Sequence, residues 1–580
     1  MRSHLGFGPW VLGLGSAVVT AAVVSAQAPV IDSNVAVPMR DGVILRADLW
    51  RPAPTGRFPT LVYRTPYNKR AADAALSTAR KAVGRGYAVL LQDVRGRYAS
   101  DGEFVAYQQE GKDGYDTIEW AASQVWSTGN VGTYGLSYPG AVQWLAAVES
   151  PPHLKAMVPA MTFASPMQFW YSGGVFDNSW IPWIYRNVEP NRRARLGLPA
   201  AARSDSAELR MRSTLPQATM RDFERTAPWY YDWLKYPAYD AWWSWAELRG
   251  KYANTQAAVL NFSGWYDEAY GPHGAVNNFI GLTRARETSG RSDVKLLMGP
   301  WQHGVPPMSR TKVGDREFTP AGNLDYDDMV LTWMDRHVRG IRNAKPNERA
   351  VNLFVLGSNR WVAGDAWPLP GIRPDTIALR RTGDSTSMVS DPDKPVVDEF
   401  ADRYGAHDYR AIATRPDVIV FETAPLAADL TVVGAMRAEI SVSVDAPDTD
   451  LWVKVYDVAP DGTAFNLMNP GLDVLRASYR NATPNRELLE PGRVYTLTLS
   501  DLFTANMFKR GHRVRVAILT SFFPHFSRNL HSGDLEATSA RSRIARVTVH
   551  HSARYPSRLI LPVLPNPTMF EYPQIFGRNP

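Results

Sequence analysis

From about Val35 to Ser150 the chain alternates short β-rich runs with helical stretches, and this alternation restricts its fold more than any other feature. "TLVYRTPY", "YAVLLQDVRG" and "NVGTYGLS" read as strands, and "DGYDTIEWAASQ" reads as a helix. Strands separated by helices predict a largely parallel sheet covered on both faces, because parallel neighbours need long crossovers. The pattern returns in "AAVLNFSGWYD" and "VKLLMGPWQHG", followed by a helix at "DYDDMVLTWMDRHVRG". Between these halves lies a stretch rich in Trp and Tyr at helical spacing, as in "WYYDWLKYPAYDAWWSWAEL", which predicts a helical insertion.

Beyond Arg349 the period shifts to two, in "AEISVSVDAP", "LWVKVYDV", "HRVRVAIL" and "ARVTVHHS". Alternating strands without intervening helices predict an antiparallel β-sandwich of jelly-roll type. The expected organisation is an α/β sheet domain in two parts, 30–150 and 251–348, a helical cap at 151–250 and a sandwich at 349–580. A chain of 580 residues is too long for one ordinary core, so this division agrees with its length.

The opening "MRSHLGFGPWVLGLGSAVVTAAVVSAQAP" has one early Arg, an apolar run from Trp10 to Val24 and small residues at Val24-Ser25-Ala26. That is the pattern of a cleaved export signal over 1–26, leading to the periplasm or the exterior. The competing reading is an uncleaved anchor, since no Asp, Glu, Lys or Arg falls between Ser3 and Ile31. With no cysteine, disulfides, thiolate metal sites and a lipid-modified cysteine are all excluded. The net charge of +7 is dispersed, its densest cluster being Arg192, Arg193 and Arg195, which gives no nucleic-acid stripe.

Chemistry is concentrated in "GTYGLSYPG". Ser137 stands between a strand and the helix "AVQWLAAVES", where a sharp turn would expose its hydroxyl as a nucleophile. The motif runs Gly135-x-Ser137-x-x-Gly140, with Pro139 where the usual five-residue pattern has glycine; proline is tolerated in a first helical turn. A serine needs a base, and the base needs a carboxylate to fix its tautomer. Asp267 and His303 follow consecutive strands in the order Ser, acid, His; Glu268 is the rival acid and His273 the rival base. The oxyanion would take the Tyr138 N–H and a donor from the loop after an early strand, where "VYRTPYNK" offers Tyr67.

These segments, together with "VPMRDGVILRADLWRP", "DVRGRYASDGEF", "GPWQHG" and "LLEPGRVYTLTLSDLFTANMFKRGHRVRVAI", resemble the cocaine-esterase and X-prolyl dipeptidyl-peptidase family of serine hydrolases. The resemblance extends over essentially the whole mature chain. It implies an α/β-hydrolase fold with a helical cap and a jelly roll walling one side of the site. It further implies Ser137 as nucleophile, Asp267 as acid, His303 as base and Tyr67 as side-chain oxyanion donor, with residue 139 variable.

The resemblance implies a reaction class more narrowly than a substrate: esters, β-lactam side-chain amides or X-Pro dipeptides. The branch that hydrolyses α-amino-acid esters carries acids two and three residues after its catalytic Asp, where this chain has Ala269 and Tyr270, leaving Glu268 nearby and Asp177 or Asp240 in the cap as other sources of charge. An ester of a compact, largely apolar acyl group is therefore the first expectation, with an X-Pro dipeptidyl-peptidase or acylase-type hydrolase as the alternative. From another class, a decayed hydrolase could serve as a non-catalytic surface binding protein. Phe169, Trp170 and Trp233 are candidate pocket residues, and Asp93 and Arg95 are read as tying down a loop. The chemistry calls for no metal and no cofactor. Its partner is a small-molecule ester or amide, with no nucleic acid, no membrane span after signal removal, and room for a homo-oligomer.

Overall fold

The computed structural model describes Met1 and residues 28–289, 293–341, 348–401 and 403–576. The expected export signal, Met1 aside, lies outside the described residues.

A ten-stranded sheet organises the first domain. Its strands are β1 (Val30–Pro38), β2 (Ile44–Arg51), β3 (Phe58–Thr65), β4 (Ala88–Asp93), β5 (Ser127–Leu136), β6 (Leu154–Ala160), β7 (Ala258–Tyr266), β8 (Val294–Gln302), β9 (Val351–Val355) and β10 (Arg360–Gly364). They lie in the order β1-β2-β4-β3-β5-β6-β7-β8-β9-β10. From β4 to β9 every pairing is parallel, and the edges are antiparallel. Strand β7 is buried at every position, as a strand with both faces covered must be. The crossover helices are α1 (Asp73–Gly84), α2 (Glu110–Ser123), α3 (Tyr138–Ala147), α4 (Tyr270–Arg286) and α5 (Tyr326–His337).

Two boundaries differ from the sequence expectation. Leu154–Ala160, placed in the cap by a boundary at 151, pairs in parallel with β5 and belongs to the sheet. Val351–Val355 and Arg360–Gly364, placed in the sandwich by a boundary at 349, pair with β8 and with each other on the same sheet. In both cases a short apolar strand adjoins a region of different character, and only its pairing register (Leu296 opposite Val351, for instance) assigns it.

The connection between β6 and β7 forms the cap, from short helices such as Trp180–Trp183, Glu189–Arg195, Asp205–Ser213 and Trp229–Lys235. Its centre is aromatic: Trp170 packs within 6.0 Å, centroid to centroid, of Trp180, Trp233 and Trp243. Burial of each such ring contributes about 1.5–3 kcal/mol, so the cap carries its own core.

The C-terminal domain consists of two antiparallel sheets. One is built on Leu430–Val444, the other on Asp450–Val458. Val432 and Ile440 from the first and Leu451, Val453, Val516 and Ile518 from the second share one core. This domain also reaches the sheet end where the loops gather: Tyr266 Oη donates to Asn466 O at 3.1 Å, and Asn469 Nδ2 donates to Asp267 O at 3.1 Å. Among the described residues no helix is long and apolar enough to cross a membrane.

Candidate active site

The turn between β5 and α3 places Ser137 at the helix N-cap with φ +69° and ψ −126°, a region few non-glycine residues occupy. Its flanking glycines are required by space. A Cβ on Gly135, whose φ is +145°, would sit 2.5 Å from Pro139 Cβ, and one on Gly140 would sit 2.4 Å from Ala160 O. Pro139 lies in the first turn of α3, where its missing N–H leaves no partner unsatisfied. Ser137 N–H is spent on Ala160 O at 3.1 Å, whereas the N–H of Tyr138, as the first helical residue, has no intrahelical acceptor.

His303 follows β8, and Asp267 follows β7. His303 Nδ1 lies 2.5 Å from Asp267 Oδ1. The carboxylate is fully buried and fixed by further donors: Ser263 Oγ to Oδ2 at 2.6 Å and Glu268 N to Oδ1 at 2.8 Å. Burial opposes protonation of His303, but the charges of Asp267 and Glu268 and the hydrogen bond to Asp267 outweigh it, so its pKa is pushed up to about 9. The rival base, His273, lies on α4 with Nε2 3.6 Å from Asp501. Glu268, the rival acid, lines the cleft, and its carboxyl is raised first by burial.

Tyr67 lies two residues beyond β3; its hydroxyl accepts a hydrogen bond from Trp183 Nε1 at 2.9 Å, and it lines the same cleft as Ser137. Burial is the main reason that its pKa is pushed up to about 12, so at neutral pH it keeps its proton for donation. Two buried cations hold its loop. Lys69 donates from Nζ to Asp93 Oδ2 at 2.7 Å and from its backbone N to Oδ1 at 2.8 Å, tying the loop to the end of β4. Arg97 donates to the carbonyls of Pro66, Val188 and Asn187 at 2.8, 2.8 and 2.7 Å, tying the same loop to the cap. Arg95 forks onto Asp113 of α2 at 2.9 and 2.6 Å.

Ser137, Tyr67, Glu268 and His303 line one cleft of about 420 Å³, with Trp180 and Trp183 of the cap and Tyr404 opposite. Such a site can pass a proton from hydroxyl to imidazole and hold a developing oxyanion against Tyr67 and the Tyr138 amide. Phe169, Trp170 and Trp233 do not line it; they are packed inside the cap, because their rings satisfy one another there. Asp177 is buried behind the cleft, accepting from Ser179 N at 2.8 Å with His525 3.7 Å away, and Asp240 caps a helical turn at Trp242 N. Sequence reasoning missed Lys69, Arg97, Ser263 and Asn469 as supports, and Trp183 as the hydrogen-bond partner of Tyr67. Ser263 left a signal, a serine in a largely apolar strand four residues before Asp267.

Residues 41–305 match the X-Pro dipeptidyl-peptidase (S15) family, and residues 343–560 match the X-Pro dipeptidyl-peptidase C-terminal non-catalytic domain. The chain is 31% identical to the cocaine esterase of Rhodococcus sp. (strain MB1 Bresler), over 92% of this chain and 98% of that one. Among solved structures, an aminopeptidase from the marine sediment archaeon Thaumarchaeota archaeon superposes with a TM-score of 0.81 at 22% identity, covering 93% of this chain and 97% of the other. An α-amino acid ester hydrolase does so with a TM-score of 0.79 at 23% identity, covering 94% and 100%. The two superpositions establish the fold: an α/β-hydrolase domain joined to a C-terminal β-sheet domain.

Proposed function

Because the chain belongs to the X-Pro dipeptidyl-peptidase (S15) and cocaine-esterase family, we propose that it is an exported carboxylic-ester hydrolase that forms an acyl-enzyme on Ser137. Membership makes it a serine hydrolase of esters or dipeptides. The finer reading rests on one observation: His303, paired with Asp267, lines the same cleft as Ser137 and Tyr67.

In this mechanism His303 takes the Ser137 proton as Oγ attacks the carbonyl, then returns it to the leaving atom. Asp267 holds the tautomer and stabilises the imidazolium. Tyr67 Oη and Tyr138 N–H receive the oxyanion, and water repeats the sequence to release the acid. The apolar faces of Trp180 and Trp183 suit a compact acyl group. Ser137→Ala is expected to cost on the order of 10⁶ in kcat against p-nitrophenyl esters; equal turnover by both proteins would remove the nucleophile from the scheme.

A second reading, cleavage of an X-Pro or aminoacyl amide, is favoured by Glu268, a carboxylate inside the cleft that could meet a substrate ammonium. Turnover of an X-Pro-nitroanilide above that of the esters would establish it. Export predicts a mature amino terminus just after Ala26, read by sequencing the protein recovered from outside the cytoplasm.

A further inference from the structure

Beyond His303 the catalytic cleft continues into a second, more open cavity of about 480 Å³. The two share His303 and Tyr404, but Ser137, Tyr67 and Trp183 belong only to the first. The lining of the second is cationic, with Arg310, Lys312 and Arg403 and no carboxylate. Arg310 and Lys312 are exposed, and neither side chain has an ion pair or hydrogen bond among the described residues. Arg403 packs over Phe400 with its guanidinium 5.1 Å from the ring centre and donates to Glu399 O. His407 is already engaged by Asp315 at 2.9 Å.

The walls are held in place. The hairpin of Lys312–Val313 and Arg316–Glu317 bridges to Ala406 through Gly314, Asp315 N donates to Ala406 O at 2.8 Å, and Gln302 Nε2 donates to Tyr404 O. Lys312 on that hairpin, opposite Glu317 of its second strand, and Arg310 two residues before it are thus kept on the cavity that His303 lines by a hairpin pinned to the following domain. A merely solvated basic surface needs no such pinning.

Chemistry decides which part of a substrate occupies this space. The imidazole must reach the leaving atom to protonate it, so the leaving group lies on the His303 side of the scissile bond and the acyl group on the Ser137 side. Resting on the hydrolase reading above, we propose that the enzyme takes substrates whose leaving alcohol or amine carries an anionic oxyacid group, bound by Arg310 and Lys312. In acylation the bond from Ser137 Oγ to the acyl carbon forms and the bond from that carbon to the leaving atom breaks. The Oγ proton passes through His303 to the leaving atom, and the product departs with its anionic group unchanged. A guanidinium fork and an ammonium are the donors suited to carboxylate or phosphate oxygens.

The test compares 4-acetoxybenzoate, 4-acetoxyphenyl phosphate and neutral 4-acetoxybenzamide on the full-length mature enzyme and on its Arg310→Gln/Lys312→Gln variant. The quantity read is the ratio of kcat/KM for each anionic ester to that of the amide, which cancels general damage to the fold. The wild-type ratio for the better anion should exceed the variant's by about tenfold at low salt and shrink toward about twofold as salt is raised. Whichever anion is preferred identifies the oxyacid. Equal ratios in the two proteins for both anions would overturn the inference while leaving the esterase reading intact. If wild type turned over none of the three, or Ser137→Ala turned them over equally well, the hydrolase reading of the cleft would fall and this inference with it.

Discussion

The indole N–H of Trp183 donates to the phenolic oxygen of Tyr67 at 2.9 Å, so a residue of the cap orients the proton of a residue on the sheet domain. With one lone pair of Tyr67 Oη occupied by that donor, its own O–H stays free to donate into the cleft that Ser137 also lines. Trp183→Phe keeps the aromatic packing and removes the donor. The expected result is a fall in kcat of about tenfold, with KM moved less, because a neutral hydrogen bond that orients the donor is worth about 0.5–1.5 kcal/mol. An unchanged kcat in ester hydrolysis would reduce Trp183 to a wall of the cleft.

Removing the donor itself should cost more. In the proposed mechanism Tyr67→Phe takes away the side-chain half of the oxyanion site and leaves the Tyr138 amide, so kcat is expected to drop by about 10²–10³ with little change in KM. Because Tyr67 and Ser137 line the same cleft, the variant's structure should be compared with wild type to show the serine unmoved. A loss confined to KM would place Tyr67 in substrate binding instead.

The sheet domain was legible because parallel strands and crossover helices write different periods into the chain, and the turn of the proposed nucleophile because it demands glycine at 135 and 140, on either side of Ser137. Asp267 and His303 could be chosen from their positions after β7 and β8. What failed to show was tertiary. Trp170 and Trp183 look alike as aromatic residues of the cap, yet one is sealed among other rings and the other faces Tyr67 across a domain boundary. Sequence spacing carries no record of which ring is covered. The same holds for Arg97, whose three acceptors are carbonyls on distant segments.

Arg97 is completely buried, and its pKa is pushed down by that burial, yet among the described residues no carboxylate pairs with it; its guanidinium is held by carbonyls of the Tyr67 loop and of the cap, beside the rings of Tyr98 and Phe104. Arg97→Met would take one donor from each of three inward carbonyls, at about 0.5–1.5 kcal/mol per hydrogen bond lost. The expected outcome is a loss of several degrees in Tm together with a reduced kcat, as the loop after β3 loosens. Arg97→Lys, which can satisfy fewer acceptors at once, should fall between the two. Wild-type Tm in Arg97→Met would mean that water takes over these carbonyls and the arginine is dispensable to the fold.

The pH dependence follows from the charges around His303. A general base must be neutral to accept the Ser137 proton, and with its pKa pushed up to about 9 most of the imidazole is charged at neutral pH. Activity as kcat/KM should therefore rise with pH along a limb whose midpoint is near 9. Glu268→Gln removes one of the two charges that favour the imidazolium, so the midpoint should move to lower pH and the rate on a neutral ester at pH 7 should increase; a stationary midpoint would show that Asp267 alone sets it. Stability carries the opposite sign. The folded pKa lies above the ordinary 6.5, so the contribution of the protonated His303 to folding is complete below that pH and is lost as pH rises through about 9. Thermal unfolding followed from pH 6.5 to 9 should thus show a decline in Tm that His303→Ala lacks, across the same interval in which the wild-type rate climbs.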